Sequence, residues 1–303
     1  FGALNQLAAA GDFSGYEAAL DSTSPAASSA IAAAQPTTGR SRLDRMMSCP
    51  TFSTDDAMLT ENTCVWAQAG ANAIDQETTA GTPGYAGNVW SIAGGGQFEV
   101  REAWFAGLSA AYENGRLDGA GGRTRSQGEG GSIAASLKYD AGGAQIAAAL
   151  AAAWGSYDIT RRVAVPGFRG TARGTSEVAS FGGRLRAGYT FAGPAAYVRP
   201  FIDLDVVHTD AGGYTETGAG IFGLAVADAS QTVASATPAV EVGARIELRG
   251  PWLARAFARG GVTVASTDSF TTTSRLAGAP ASVGGFDTTV PMADVLARLG
   301  AGL

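Results

Sequence analysis

The class of fold is decided by residues 104–113, which read Trp-Phe-Ala-Gly-Leu-Ser-Ala-Ala-Tyr-Glu. Every second residue from Trp104 to Tyr112 is apolar, and the intervening face ends in the charged Glu113. Successive side chains of a β-strand point to opposite faces of the sheet, so this stretch predicts a strand with one apolar and one polar face. The pattern returns at residues 133–140, 183–191, 240–248 and 254–260.

Composition narrows the classes of protein. Only 16% of the 303 residues are charged, against about 25% in an ordinary soluble domain. The 27 acidic and 21 basic residues give a net charge of −6, which argues against nucleic acid as a partner. No run of 18 apolar residues is present, so a membrane would have to be crossed by strands.

The alternating strands favour a transmembrane β-barrel, in which an apolar face meets lipid and a charged face lines the lumen. A soluble antiparallel sandwich also alternates. The apolar faces, however, persist for longer than the usual strand of about five or six residues, and aromatic residues recur at strand ends, as in interfacial girdles.

The links between the strands alternate in length, as expected when long extracellular loops alternate with short periplasmic turns. The long links are residues 75–88, 114–131, 158–176, 208–232 and 265–288, and the short ones are 100–102, 140–143, 192–194 and 249–251. This rhythm predicts ten strands, the first over 64–74 and the last from about Thr289. Before them, residues 1–48 read as helices, with a Ser24-Pro25 helix start and a basic helical piece from Arg40 to Met47.

The helical segment followed by Val65-Trp66-Ala67-Gln68, together with the loop rhythm and the phrase Leu4-Asn5-Gln6-Leu7, resembles the autotransporter β-domain of type V secretion. The resemblance implies a twelve-stranded barrel with a helix in its lumen, and a linker in residues 1–62 before a barrel in 63–303. It implies an outer-membrane translocator that anchors and exports an N-terminal passenger to the cell surface, without enzymatic activity or cofactor. The implied partners are outer-membrane lipid, the passenger, the barrel-assembly machinery and periplasmic chaperones.

Two other functions stay open at this point, a stand-alone porin or adhesin barrel and a soluble all-β binding domain.

Catalytic motifs are weak. His208 is the only histidine, so a triad or a histidine-rich metal site has at most one candidate base. Residues 218–223 spell G-x-G-x-x-G but lack the following helix of a dinucleotide site.

Charged residues on the intervening strand faces are the candidate functional residues, because they are expected to line the lumen. They are Lys138, Arg184, Arg186, Arg199, Asp203, Asp205, Glu241, Arg245, Glu247, Arg255 and Arg259. Either water solvates them, or some of them hold the linker helix as a plug. In the second case Asp203, Asp205, Glu241 and Glu247 would pair with the basic residues Arg40, Arg42 and Arg45.

Two further expectations concern the ends of the barrel. Cys49 and Cys64 are the only cysteines and are expected to form a disulfide, as is usual in an oxidising compartment. The tenth strand ends at Leu303 without a turn or a terminal aromatic residue, so the barrel is expected to lack two strands. Three strand spacings would leave a gap of roughly 14 Å between the first and tenth strands.

Overall fold

A computed structural model gives the fold and describes residues 2–47, 49–51, 59–78, 84–193, 195–247, 253–280, 282 and 284–302. Ten long antiparallel strands follow one another in chain order in a single sheet. They are β1 Cys64–Gln76, β2 Tyr85–Arg101, β3 Trp104–Gly119, β4 Thr124–Ala141, β5 Ala144–Val165, β6 Phe168–Tyr189, β7 Ala196–Ala211, β8 Ala229–Glu247, β9 Leu253–Ala265 and β10 Val295–Gly302. Phe191–Ala192 adds a two-residue strand beside β7.

The two faces of this sheet differ as the sequence predicts. On the outer face Leu108, Leu150 and Leu185 are exposed, whereas on the inner face Lys138 and Ala147 are buried. An apolar exterior around a polar interior is the arrangement of a barrel in lipid. The predicted antiparallel, up-and-down transmembrane barrel with ten strands present is therefore confirmed, and β1 and β10 lie at the two ends of the strand order.

Two of the predicted long loops are wrong. Residues 114–131 and 158–176 are for the most part paired strand, and the β5–β6 hairpin continues to the pair Val165 and Phe168. β5 and β6 have 22 residues each, about twice the 9–11 that a membrane-spanning strand needs. Alternation hidden by glycine and polar residues made these extensions look like loops. The predicted turn at 249–251 and part of the link 75–88 lie outside the described residues.

The two remaining long links form a small sheet above the barrel, which we call the lid sheet. Its strands are Tyr214–Thr215, Leu224–Val226, Ser269–Leu276 and Phe286–Pro291. The tenth barrel strand therefore begins at Val295, not near Thr289, because residues 286–291 pair with 269–274. Burial raises the pKa of Tyr214 in this sheet, and its hydroxyl donates to Ser28 Oγ at 2.8 Å.

Three helices precede the barrel, α1 Gly2–Ala9, α2 Phe13–Asp21 and α3 Ala26–Arg45. The sequence suggests two helical pieces over 24–47, but the structure has one helix that continues through Pro36. Among the described residues, no helix is long and apolar enough to cross a membrane.

Candidate functional site: the lumen and its helix

Helix α3 lies against the inner faces of β3 to β7. Its 20 residues correspond to a length of about 30 Å, which matches the thickness of the hydrocarbon core of a bilayer. The N-terminal end lies near Tyr85 and Leu117, at the end of the barrel that carries the lid sheet. The C-terminal end lies near Cys64, at the end that carries the short turns.

The first half of α3 is held by apolar packing. Ala26, Ala30 and Ile31 are buried in one cluster with Phe270 and Val290 of the lid sheet. Small side chains allow the helix to approach the surrounding strands closely, and Ser29 Oγ lies 2.9 Å from Thr272 Oγ1. The lid sheet thus covers the outer end of the helix.

The second half of α3 is held by charge, and Asp44 is its centre. One oxygen of Asp44 accepts hydrogen bonds from Arg184 Nη1 at 3.1 Å and Arg186 Nη2 at 3.2 Å. The other oxygen pairs with Arg259 and, at 3.5 Å, with Arg298 Nη2. A single helix carboxylate therefore connects three strands, β6, β9 and β10.

A second ionic group joins the helix to β3. Arg42 Nη2 is 2.6 Å from Glu113 Oε2, and Arg45 Nη2 is 2.9 Å from Glu113 Oε1. Arg42 Nη1 also donates to Ser180 Oγ at 3.0 Å. Charge-assisted bonds from two arginines to one carboxylate fix both the depth and the rotation of the helix.

Most of the partners predicted for the helix arginines are wrong, since Arg42 and Arg45 pair with Glu113; of the predicted carboxylates, Asp205 is near enough to Arg40 to interact with it through its charge. Asp203 and Asp205 pair with Arg186 and Arg184 on the neighbouring strand, at 2.6 Å in each case. Glu241 pairs with Arg199 at 2.9 Å and lies 3.8 Å from Arg255 Nη2. Arg40 instead donates to Ser235 and Thr37. Strand arginines satisfy the strand carboxylates because paired strands bring them directly opposite each other.

The remaining predicted charges lie toward the end with the short turns. Lys138 Nζ is 3.1 Å from Glu61 Oε2 in a buried contact. Arg245 and Glu247 are 4.0 Å apart near the end of β8, and the Glu247 side chain is 76% exposed. These two residues therefore belong to the rim of the barrel and not to the helix site.

Sequence reasoning missed the residues that organise the lumen, namely Asp44, Glu61 and Glu113. Glu113 carried a readable signal, because it is the one charge on the polar face of the 104–113 strand. Asp44 and Glu61 carried no such signal. They lie outside the long barrel strands, so apolar–polar alternation does not assign their side chains to a face of the sheet. Glu61 accepts from Gln97 Nε2 at 2.7 Å and Gln145 Nε2 at 2.8 Å, which anchors the chain between α3 and β1.

Cys49 and Cys64 are joined by a disulfide, with Cα atoms 6.3 Å apart. The bridge closes a short loop between the helix segment and β1.

We expect the double variant Cys49→Ala/Cys64→Ala to lose about 3 kcal/mol of unfolding free energy, because the loop gains freedom in the unfolded chain. Urea unfolding under non-reducing conditions measures this loss. Reducing the wild type should reproduce it, and a double variant as stable as the oxidised wild type would contradict the prediction.

The other motifs do not assemble a reaction centre. His208 Nδ1 lies 2.8 Å from Thr232 Oγ1, and His208 Nε2 lies 3.1 Å from Asp210 Oδ1. These contacts are exposed on the side of the sheet that does not face the helix. Residues 218–223 form part of the link above the barrel, with a short 3-10 helix over Gly220–Phe222. In the described part of the chain, no three His, Cys, Asp or Glu side chains are grouped to hold a metal ion.

The Autotransporter beta-domain family model matches residues 65–303. The chain belongs to the autotransporter β-domain family. The translocator domain of the autotransporter NalP from Neisseria meningitidis is similar, with a TM-score of 0.66 and 13% identity over 83% of this chain and 86% of that chain. The β-domain of the Bordetella autotransporter BrkA has a TM-score of 0.48 and 15% identity over 80% and 98% of the two chains. None of the curated protein sequences matches the chain.

Membership of this family gives the function. The autotransporter barrel is an outer-membrane translocator, which exports an N-terminal passenger and displays it at the cell surface. The predictions of family, function and location are therefore confirmed. The porin and soluble-domain alternatives are set aside by the family match over residues 65–303.

Proposed function

We propose that residues 1–62 are a linker that threads the lumen of the barrel formed by residues 63–303, and that α3 closes the lumen once export is complete. The observation that carries the proposal is the contact of Asp44 with arginines of three strands. Such a contact fixes the helix at one depth, as a plug requires. The buried cluster around Ala30 and Phe270 supports the same role at the outer end.

The plug can be tested by conductance in planar bilayers, using the protein purified from outer membranes. Deleting residues 2–47 should raise the ion conductance severalfold, because the helix leaves a water-filled channel behind. Deleting only residues 2–21 removes α1 and α2 and should leave the conductance unchanged. Equal conductance of all three proteins would contradict the plug.

We propose that the chain has no catalytic activity of its own. His208 is its single histidine, and its contacts with Thr232 and Asp210 lie on an exposed strand surface. An activated hydroxyl usually needs a site that excludes water and stabilises the developing charge. Replacing His208 by Ala should therefore change neither passenger export nor passenger release, as measured by immunoblotting of cells and culture medium.

Assembly is proposed to need the barrel-assembly machinery and periplasmic chaperones. Exposed leucines such as Leu108, Leu150 and Leu185 cover the outer face, so an unfolded chain in the periplasm would expose a large apolar area. Depleting the assembly machinery should leave the chain soluble or degraded in the periplasm, and normal insertion would contradict this partner.

A further inference from the structure

Helix α2 lies outside the lumen and has its own binding surface. β5 and β6 extend beyond the membrane-spanning length, and Val163, Val165 and Ala172 on this extension are buried in one cluster with Ala19 of α2. Ala219, from the link between the first two strands of the lid sheet, completes the cluster. Ala19 is 2% exposed, whereas Leu20, the next residue on the helix, is 43% exposed.

Two arginines bind the end of α2 through its backbone. Arg123 Nη1 donates to the carbonyl oxygen of Ala18 at 2.9 Å, and Arg161 Nη1 donates to the carbonyl oxygen of Ser22. The last carbonyl groups of a helix have no partner within the helix and carry a partial negative charge. The Ala18 carbonyl oxygen also accepts from the Ser22 N–H at 3.2 Å, so the guanidinium groups add further hydrogen bonds at this end and complement the helix dipole.

The binding surface is also held together by contacts that do not involve α2. Arg161 is fully buried and is held by Glu216 through its Nε atom at 3.0 Å. Arg161 Nη2 also donates to the carbonyl oxygen of Phe222 at 3.0 Å, and the Leu224 N–H donates to Glu216 at 2.8 Å. One guanidinium thus connects β5, the 216–224 link and the linker helix.

Ser22 adds a strand-like contact to this surface. The Ala164 N–H donates to Ser22 Oγ at 3.2 Å, and Ser22 Oγ lies 3.3 Å from the Ala164 carbonyl oxygen. β4 pairs with β5 only as far as Arg161, which leaves the backbone of Ala164 open on that side. The serine hydroxyl therefore bonds backbone groups of Ala164 that a further paired strand would otherwise satisfy.

We propose that the outer end of the β5–β6 hairpin, with the 216–224 link, is a docking site for α2 of the exported linker. It holds the chain at the outer surface independently of the ionic contacts in the lumen. Residues 22–25 alone separate α2 from α3, and four residues span at most about 14 Å. α2 can therefore reach this site only when the N-terminal end of α3 has arrived at the outer mouth.

Hydrogen–deuterium exchange of the protein extracted in detergent from outer membranes tests the docking. A nine-residue helix is not stable alone in water, so protection of residues 13–22 has to come from the docking site. Ala19→Glu places a carboxylate in the buried cluster and should speed exchange over residues 13–22 at least tenfold, with residues 30–45 unchanged. The matched control, Leu20→Glu, adds the same side chain at an exposed position and should leave both segments unchanged.

A second variant separates this proposal from the lumenal plug. Asp44→Asn is expected to speed exchange in α3 while α2 keeps its protection. Equal exchange over residues 13–22 in Ala19→Glu and Leu20→Glu would overturn the docking site. Loss of α2 protection in Asp44→Asn, to the same degree as α3, would overturn its independence from the lumen.

Discussion

Replacing Asp44 by Asn is expected to weaken the attachment of α3 by about 3 kcal/mol, at the lower end of the cost of breaking a buried ion pair. Asn keeps the shape of the side chain but removes its charge. Arg184 and Arg186 retain Asp205 and Asp203 as partners. Arg259 and Arg298 each form an ion pair with Asp44 in the described part of the chain, and they lose that partner in the variant. The side chains of Arg259 and Arg298 are 32% and 27% exposed, so water compensates part of the loss.

The loss can be measured as the change in hydrogen-exchange protection over residues 30–45. A loss of about 3 kcal/mol corresponds to exchange faster by a factor on the order of 100, since 1.4 kcal/mol is a factor of ten. Asp21→Asn is the matched control, because Asp21 is exposed on α2 and its replacement should have no effect on α3. Exchange that is the same in the wild type and both variants would show that the apolar contacts of the first half of α3 suffice to hold it.

The sequence predicted the strand faces well and the connections less well, for a physical reason. Lipid outside and a polar lumen inside impose an apolar–polar alternation on every strand, so Leu108 and Leu185 could be assigned to a side by counting. The same alternation is weak above the membrane, where both faces meet water or other loops. Gly128 and Gly130 therefore looked like loop residues, although β4 pairs with β5 through both positions.

The lumenal contacts were less predictable because they depend on the depth of the helix. The sequence indicates that Arg184 points inward, but not that it lies 3.1 Å from Asp44. A shift of α3 by one turn, 5.4 Å, would bring different residues opposite the strand arginines. The packing of Leu43 against Ala147 and Ala149, together with the disulfide at Cys49, holds the helix at this depth. None of these constraints is readable from periodicity.

The largest effect is expected at the two ends of the strand order, because β1 and β10 are not paired with each other among the described residues. β1 pairs only with β2, and β10 pairs only with β9, among the described residues. At these edges Val65 and Leu299 are 91% and 89% exposed. Each backbone N–H or C=O group left unpaired in lipid costs several kcal/mol. β1 alone has 13 residues, so the open sheet would be unstable in a bilayer by a wide margin.

Residues 1–303 alone are therefore expected not to form a heat-resistant barrel in lipid vesicles. The same chain followed by a two-stranded hairpin with the same apolar–polar alternation should form one. A folded barrel that resists SDS migrates at a different apparent mass from the heated, unfolded protein. The share of unheated protein in the shifted band of an SDS gel measures the folded fraction. A hairpin of identical composition but scrambled order is the matched control and should not restore folding.

The competing structure is a complete ten-stranded barrel in which β1 pairs directly with β10. Even strand numbers permit it, and engineered cysteines can distinguish it. In a ten-stranded barrel, β1 and β10 would be adjacent strands. A cysteine replacing Ala67 in β1 and one replacing Ala297 in β10 would then lie about 5 Å apart across the strands, plus any offset of a few residues along them. With two strands between them the distance is roughly 14 Å, too far for a disulfide.

Arg298 of β10 already reaches Asp44 in the lumen, so the position of β10 beside β9 is tied to the helix. Closure by movement of β10 toward β1 would break that contact. We therefore expect no cross-link in the folded protein, and efficient cross-linking would show that β1 and β10 close the barrel themselves.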